Sequence, residues 1–187
     1  MLQLFCPDYR CKQLDQISID WLITKQIKVI ILDLDNTLMT RSSLAPSETI
    51  QQWVFAVQKA GIRIIVLSNN GGKRMRNVQN LFGVPTISWA VKPLSFGFKR
   101  ALQCLEVKNT DGVLVIGDQL LTDVWGAKRL GLKVLWIESR SGQEFIFTKL
   151  TRTIESFVIK RLNEKNLMPR RMNNEDFFTP NDHCGKR

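Results

Sequence analysis

The sequence predicts an α/β protein: a single doubly wound parallel sheet flanked by helices, with no separate cap domain. Three observations predict it. Apolar bursts alternate with amphipathic stretches, the rhythm of strand–helix–strand units. The bursts are β-branched and nearly continuous, as strands covered on both faces must be. The chain has 187 residues, 44% of them hydrophobic, enough for one domain with a core and short for two.

The first burst, Lys28 to Asp35, reads as a buried strand. Pro46 and Ser47 open a helix that runs to about Ala60, with Trp53, Val54 and Val57 on one face and Gly61 as its stop. A second strand, Ile62 to Leu67, ends at Ser68-Asn-Asn-Gly-Gly72, and a helix follows from Lys73 to Leu81. A short strand over Thr86 to Trp89 leads through Lys92-Pro93 into a helix from Leu94 to Leu105. The strand Gly112 to Ile116 ends at Gly117-Asp118; a helix over Thr122 to Leu130 and a strand over Lys133 to Ile137 complete the alternation. From Gln143 to Asn163 an amphipathic helix carries Phe147, Leu150, Ile154, Phe157, Val158 and Leu162 on one stripe. In domain terms, residues 1–26 are expected to pack on or beside the core, 27–142 to form it, 143–166 to be the C-terminal helix and 167–187 a disordered polar tail.

Composition narrows the function. The net charge of +10 draws the chain toward anions, whether phosphorylated molecules, nucleic acid or an acidic membrane. Part of the excess (Lys73, Arg74, Arg76, Lys99, Arg100, Lys128, Arg129, Arg152, Lys160 and Arg161) is expected to form an ordinary solvated face. Cys6, Cys11, Cys104 and Cys184 match no zinc spacing and read as free thiols in a reducing compartment. The one histidine, His183, sits in the polar tail, which removes Ser–His and Cys–His chemistry. No apolar run approaches the roughly 18 residues that span a bilayer. The start of the chain, with Asp8, Asp15 and Asp20, does not read as a secretory signal. The expectation is a protein that is not secreted and works in the cytoplasm or an organelle interior such as stroma or matrix, peripheral on a membrane if it touches one.

Four polar signals each follow directly on a buried strand: Asp33-Leu-Asp35-Asn-Thr37, Ser68-Asn69, Lys92, and Asp118 with Asp123. In an open parallel sheet that is the carboxyl edge, where ligand crevices form. Taken singly each signal has a bland reading: a turn, a loop, a surface lysine, or an acid in the first turn of a helix. Four in register argue for a site. Asp33, Asp118 and a main-chain carbonyl near Asp35 can share a hard cation such as Mg²⁺, which takes few protein ligands. Asp33 can attack phosphorus as a nucleophile. Asp35 is placed to protonate the leaving oxygen and then to deprotonate water. Ser68, Asn69 and the following N–H groups can bind non-bridging oxygens, while Lys92 opposes the charge of the transferring group.

These motifs resemble the haloacid dehalogenase phosphatase superfamily, subclass IIIA, whose signatures are DxDx[TV], a hydroxyl ending the second strand, a lysine, and GDxxxxD. Here they stand as Asp33-Leu-Asp35-Asn-Thr37, Ser68-Asn-Asn, Lys92-Pro93 and Gly117-Asp118-Gln-Leu-Leu-Thr-Asp123. The resemblance runs from about Ile27 to Glu138 and implies a Rossmannoid fold, Mg²⁺ and an aspartyl-phosphate intermediate. It also implies that Thr37 and Asp123 support the ligands from behind, and Asp35 marks the phosphatases off from true dehalogenases. A narrower likeness, to the YqeG-type branch that includes phosphatidylglycerophosphate phosphatases, extends to about Asn166. It departs at Arg41-Ser42, which is less acidic than that branch's pattern.

About 35 residues separate Asp33 from Ser68, and about two dozen separate Ser68 from Lys92, so nothing larger than a small flap around Met39 to Ala45 fits between them. An uncapped crevice admits a large substrate. The resemblance therefore implies a membrane lipid headgroup, phosphatidylglycerophosphate, as the phosphorylated partner. A soluble phosphomonoester such as a nucleotide or sugar phosphate, or a phosphoprotein, is the rival. A basic nucleic-acid or membrane adaptor on a retired fold is the non-enzymatic alternative. Nucleic acid is not expected, since no basic stretch is interleaved with aromatics. The C-terminal helix either packs its stripe on the sheet or docks on anionic lipid through Phe145, Ile146, Phe147, Leu150 and Phe157, with Lys149, Arg152, Lys160 and Arg161 beside them. Oligomeric state is not legible.

Overall fold

All five residues of strand β2 (Val29–Asp33) are buried, which is what a central parallel strand requires. The computed structural model describes residues 2–138 and 146–177. Its sheet has six strands: β1 (Tyr9–Cys11), β2, β3 (Arg63–Leu67), β4 (Thr86–Ile87), β5 (Val113–Gly117) and β6 (Lys133–Ile137). Their order is β1-β6-β5-β2-β3-β4, and every pairing is parallel. The sheet is α/β and doubly wound, as the sequence predicts.

The period of two along the strands splits the core into two layers. Ile30 and Leu32 of β2, with Ile64 and Val66 of β3, face helices α2 (Glu48–Lys59) and α3 (Lys73–Phe82) through Trp53, Val57, Met75 and Val78. The alternate residues Val29, Ile31, Ile65 and Leu67 face α4 (Ser95–Cys104) and α5 (Trp125–Lys128) through Phe98, Ala101 and Ala127. Helix α6 (Ile146–Glu164) joins that second layer with Val158 and Leu162. After β2 the chain winds outward through β3 and β4, then returns to place β5 on the other flank of β2. The order reverses between β2 and β5, so the crevice of an open α/β sheet opens beyond their carboxyl ends.

Several details differ from the sequence reading. The N-terminal segment adds an edge strand, β1, in register with β6 (Tyr9 opposite Leu135, Cys11 opposite Ile137), and a helix α1 (Ile19–Thr24) that buries Trp21 and Leu22. The expected helix from Thr122 to Leu130 is instead one π-helical turn, Leu120–Val124, running into the short α5. Strand β4 stops at Ile87, because Trp89 and Val91 both adopt positive φ, 54° each. The start of the expected polar tail packs back on the molecule: the main chain of Arg171 pairs with Arg10, and Phe177 is buried edge-on to Trp21. His183, Cys184 and Phe145 lie outside the described residues, as do the side chains of Ile146, Phe147, Lys149, Leu150 and Arg152.

Candidate active site

The turn after β2 is set by local chemistry. Leu38 and Met39 both donate backbone hydrogen bonds to Leu34, and Asn36 donates to Met39 at 2.8 Å. Closing the turn puts Asn36 at φ 61°, a conformation asparagine tolerates better than most residues. Asp33 and Asp35 leave the strand end buried, and the Asn36 amide reaches Asp118 Oδ2 at 3.3 Å.

Lys92 is the hub. Its ammonium is buried and donates to Asp33 Oδ1, to Asp123 Oδ1 at 2.6 Å and to the Leu67 carbonyl at 3.2 Å. The lysine is held there by Asn69, whose amide accepts from Lys92 N–H at 2.6 Å and donates to the Lys92 carbonyl at 2.9 Å. Asp123 reaches the site because Gly117 has no side chain: a Cβ there would lie 2.4 Å from Asp123 Cγ. Its second oxygen accepts from Gln119 N–H at 3.2 Å.

Carboxylate oxygens of Asp33, Asp118 and Asp123 lie within 4.8 Å of one another. Two of the oxygens, Asp33 Oδ2 and Asp118 Oδ1, are buried with no hydrogen-bond partner among the described residues. Burial pushes the Asp33 carboxyl up, to about 7; the Lys92 ammonium opposes that rise and the charge of Asp123 adds to it. Asp118 is raised well above the carboxylate range by burial, then by Asp33 and Asp123. Burial by itself would lower Lys92, but the charges of Asp123 and Asp33 reverse that and raise it. Two buried carboxylates thus share one ammonium, with the half-buried Asp118 beside them. A divalent cation fits this donor set: it would balance the charge and occupy the two orphaned oxygens.

The remaining expected residues divide. The Asp35 carboxylate is not in the acidic cluster. Arg74 binds its Oδ1, and Asn70 donates to its Oδ2 at 2.6 Å. Ser68 is buried, and its hydroxyl oxygen accepts from Asn70 N–H at 3.0 Å, which leaves its hydrogen to donate. Both functions of the Asn69 amide engage Lys92's main chain, so Asn69 positions the lysine. Thr37 Oγ1 is buried without a partner among the described residues.

Arg74 is the residue the sequence reading missed, having assigned it to the solvated face. It also donates to the carbonyls of Ser43 (3.1 Å) and Thr40 (2.8 Å), and so fastens the flap to α3. Its position one residue into the helix after the Ser-Asn-Asn-Gly-Gly loop was the available signal. On α6, Val158 and Leu162 pack on the core while Ile154 and Phe157 are exposed, so packing accounts for only part of the stripe.

Comparison with known proteins finds matches over most of the chain. The family model described as "Mitochondrial PGP phosphatase" matches residues 2–140. The chain is 32% identical to "Probable phosphatase YqeG" of Bacillus subtilis over 163 residues, 87% of this chain and 94% of that protein. It is 26% identical to "Probable phosphatidylglycerophosphatase, mitochondrial" of Schizosaccharomyces pombe, covering 85% of this chain and 78% of that one. A crystal structure of an uncharacterized protein from Listeria monocytogenes serotype 4b shares the fold, with a TM-score of 0.50 at 14% identity over 72% of this chain and 99% of that chain.

Proposed function

The chain belongs to the mitochondrial PGP phosphatase family and is a phosphatase of the haloacid dehalogenase superfamily. From that premise we propose that it dephosphorylates phosphatidylglycerophosphate to phosphatidylglycerol through an aspartyl phosphate on Asp33, with Mg²⁺ as its ion. One observation carries the mechanism: Asp33 Oδ2 is orphaned at the topological switch point, beside the Lys92 ammonium.

The steps are these. Asp33 attacks phosphorus; the bond from Asp33 oxygen to phosphorus forms as the ester P–O bond breaks. Asp35 gives its proton to the leaving glycerol oxygen, then takes one from the water that attacks the acyl phosphate, releasing inorganic phosphate and restoring Asp33. Arg74 and Asn70 hold the Asp35 carboxyl for both transfers. Lys92, together with the Ser68 hydroxyl and nearby N–H groups, stabilises the charge on the transferring group. Asp33, Asp118 and the main-chain carbonyl of Asp35 would hold the ion, which supplies charge neutralisation and polarises the phosphoryl oxygens.

The lipid substrate is supported by the family match and by the uncapped crevice. No described helix is long and apolar enough to cross a membrane, so the chain would meet its substrate from the membrane surface. The test is phosphate release from phosphatidylglycerophosphate in mixed micelles, measured beside nucleotides and sugar phosphates. Preference for the lipid supports the reading; equal or faster turnover of the soluble compounds contradicts it.

A further inference from the structure

Four large apolar side chains stand in solvent within eight residues of one loop, on the shoulder of the active site. Trp89 is 70% exposed, Val91 55%, Leu94 54% and Phe96 62%. They alternate with residues that point inward. Ala90 is buried, and Lys92 turns in to Asp33. The loop is fixed: Ala90 N–H bonds the Ser68 carbonyl at 3.0 Å, Lys92 is clamped by Asn69, and Leu94 N–H bonds the Val91 carbonyl at 2.9 Å. Trp89 and Val91 are held at positive φ, which for a β-branched residue is a strained conformation of the kind that persists where surrounding contacts impose it. The Trp89 indole lies on the bare backbone of Gly71, where a Cβ would come within 2.8 Å of its Nε1. Rigid, strained and apolar side chains kept in water beside a reactive centre call for an occupant.

The surrounding charge identifies it. From Thr49 to Leu105 the chain contains no Asp or Glu, while it places Lys73, Arg74 and Arg76 on α3 and Lys99 and Arg100 on α4. Lys73, Arg76, Lys99 and Arg100 are exposed, and the Arg100 guanidinium sits over the Phe96 ring. Exposed basic residues from an acid-free stretch of chain, set around a tryptophan, a phenylalanine and aliphatics, have the make-up of an interfacial anchor: rings and aliphatics in the headgroup–acyl boundary, cations on anionic headgroups.

We infer that the loop 89–96, the basic first turn of α3 and Lys99 and Arg100 of α4 dock this face on an anionic phospholipid bilayer, presenting the crevice to headgroups in the membrane plane. The inference rests on the lipid-phosphate reading above and gives it a surface. It assigns the contact to the loop that carries Lys92, whereas the sequence reading weighed lipid docking at the C-terminal helix against packing of that helix on the sheet. Seated this way, the side chains that enter the boundary are one residue from the ammonium that meets the phosphate.

The experiment is co-sedimentation with vesicles of phosphatidylcholine alone or mixed with phosphatidylglycerol in equal parts, comparing the parent chain with the Trp89→Ser/Phe96→Ser double variant and with Lys99→Glu/Arg100→Glu. The parent is expected to bind the mixed vesicles and to bind phosphatidylcholine weakly. Both variants should lose about tenfold or more in partition, with hydrolysis of a soluble aryl phosphate unchanged. If the double variant fails that activity check, Phe96→Ser alone, on the open face of α4, takes its place and should lose binding in the same direction. Parent-like vesicle binding by the variants overturns the inference, as does a parent that ignores anionic vesicles; a protein partner would then be the occupant. Hydrolysis of micellar phosphatidylglycerophosphate without vesicle binding would overturn the docking and spare the substrate. Loop-dependent binding without that hydrolysis would support the docking and fault the substrate.

Discussion

Lys92 Nζ donates to Asp123 Oδ1 at 2.6 Å, joining the loop after β4 to the turn after β5 behind the Asp33 carboxylate. The same ammonium holds Asp33, so it is the counter-charge of the resting site and, in the proposed mechanism, also a donor to the reaction.

Lys92→Met should therefore act on stability and on rate together. Removing the ammonium that Lys92 donates to the two buried carboxylates of Asp33 and Asp123 should cost about 3–5 kcal/mol of stability, and loss of a positioned donor should lower kcat by roughly 100- to 1,000-fold. Thermal unfolding with and without Mg²⁺ checks it: the ion should restore part of the lost stability, because it opposes the same carboxylates. An unshifted melting curve would contradict the assigned role.

Asp35→Asn separates the two half-reactions. An aryl leaving group needs little protonation, so the variant should release one equivalent of phenolate in a burst and then turn over slowly. An alkyl phosphate should be slowed from the start, by roughly 100- to 10,000-fold. Rapid-quench kinetics on the two substrates distinguish them, and steady parent-like turnover of both would exclude Asp35 as acid and base.

Arg74→Ala should free Asp35 and unfasten the flap at once, lowering kcat by roughly tenfold or more, the equivalent of a charge-assisted hydrogen bond of about 1.5 kcal/mol. Arg74→Lys should not restore activity, since an ammonium cannot reach Asp35 and the Ser43 and Thr40 carbonyls in one planar fork. Rescue by lysine would reduce the role to charge alone.

The fate of Arg74 shows where sequence reading stops. The strands were legible because a parallel strand buried on both faces must be continuously apolar, and Asp33, Ser68, Lys92 and Asp118 were legible because each follows such a run. Arg74 looks like any helix-surface cation until the fold brings β2 and α3 together. Strand β1 is three residues at an edge, too short to carry a period. The π-turn at Leu120–Val124 left no mark either, since one residue of extra winding, with Val124 N–H reaching the Gln119 carbonyl, needs no special residue type. Trp89 read as the end of a strand; only the backbone's turn to positive φ puts it in solvent.

Cysteine chemistry gives a test independent of catalysis. Burial pushes the Cys11 thiol up to about 12, while Cys104 is exposed. The thiolate is the reactive form, so at pH 8 iodoacetamide should modify Cys104 and spare Cys11. Raising the pH from 8 to 9 should leave Cys11 silent. The raised pKa keeps Cys11 protonated in the fold, and the unfolded chain ionises it near the ordinary thiol value of 9.0, so its contribution to stability is whole below that pH and is lost as pH climbs toward 12. Peptide mass spectrometry reads this directly, and prompt labelling of Cys11 in the folded protein would contradict its placement.

The central claim is a covalent bond between Asp33 and phosphorus, and it can be caught. Turnover with Mg²⁺ and an aryl phosphate, quenched in acid and reduced with borohydride, should convert residue 33 to homoserine in proportion to the trapped intermediate, with Asp35, Asp118 and Asp123 unchanged. Homoserine at another of these positions, or at none while phosphate is being released, would contradict the account.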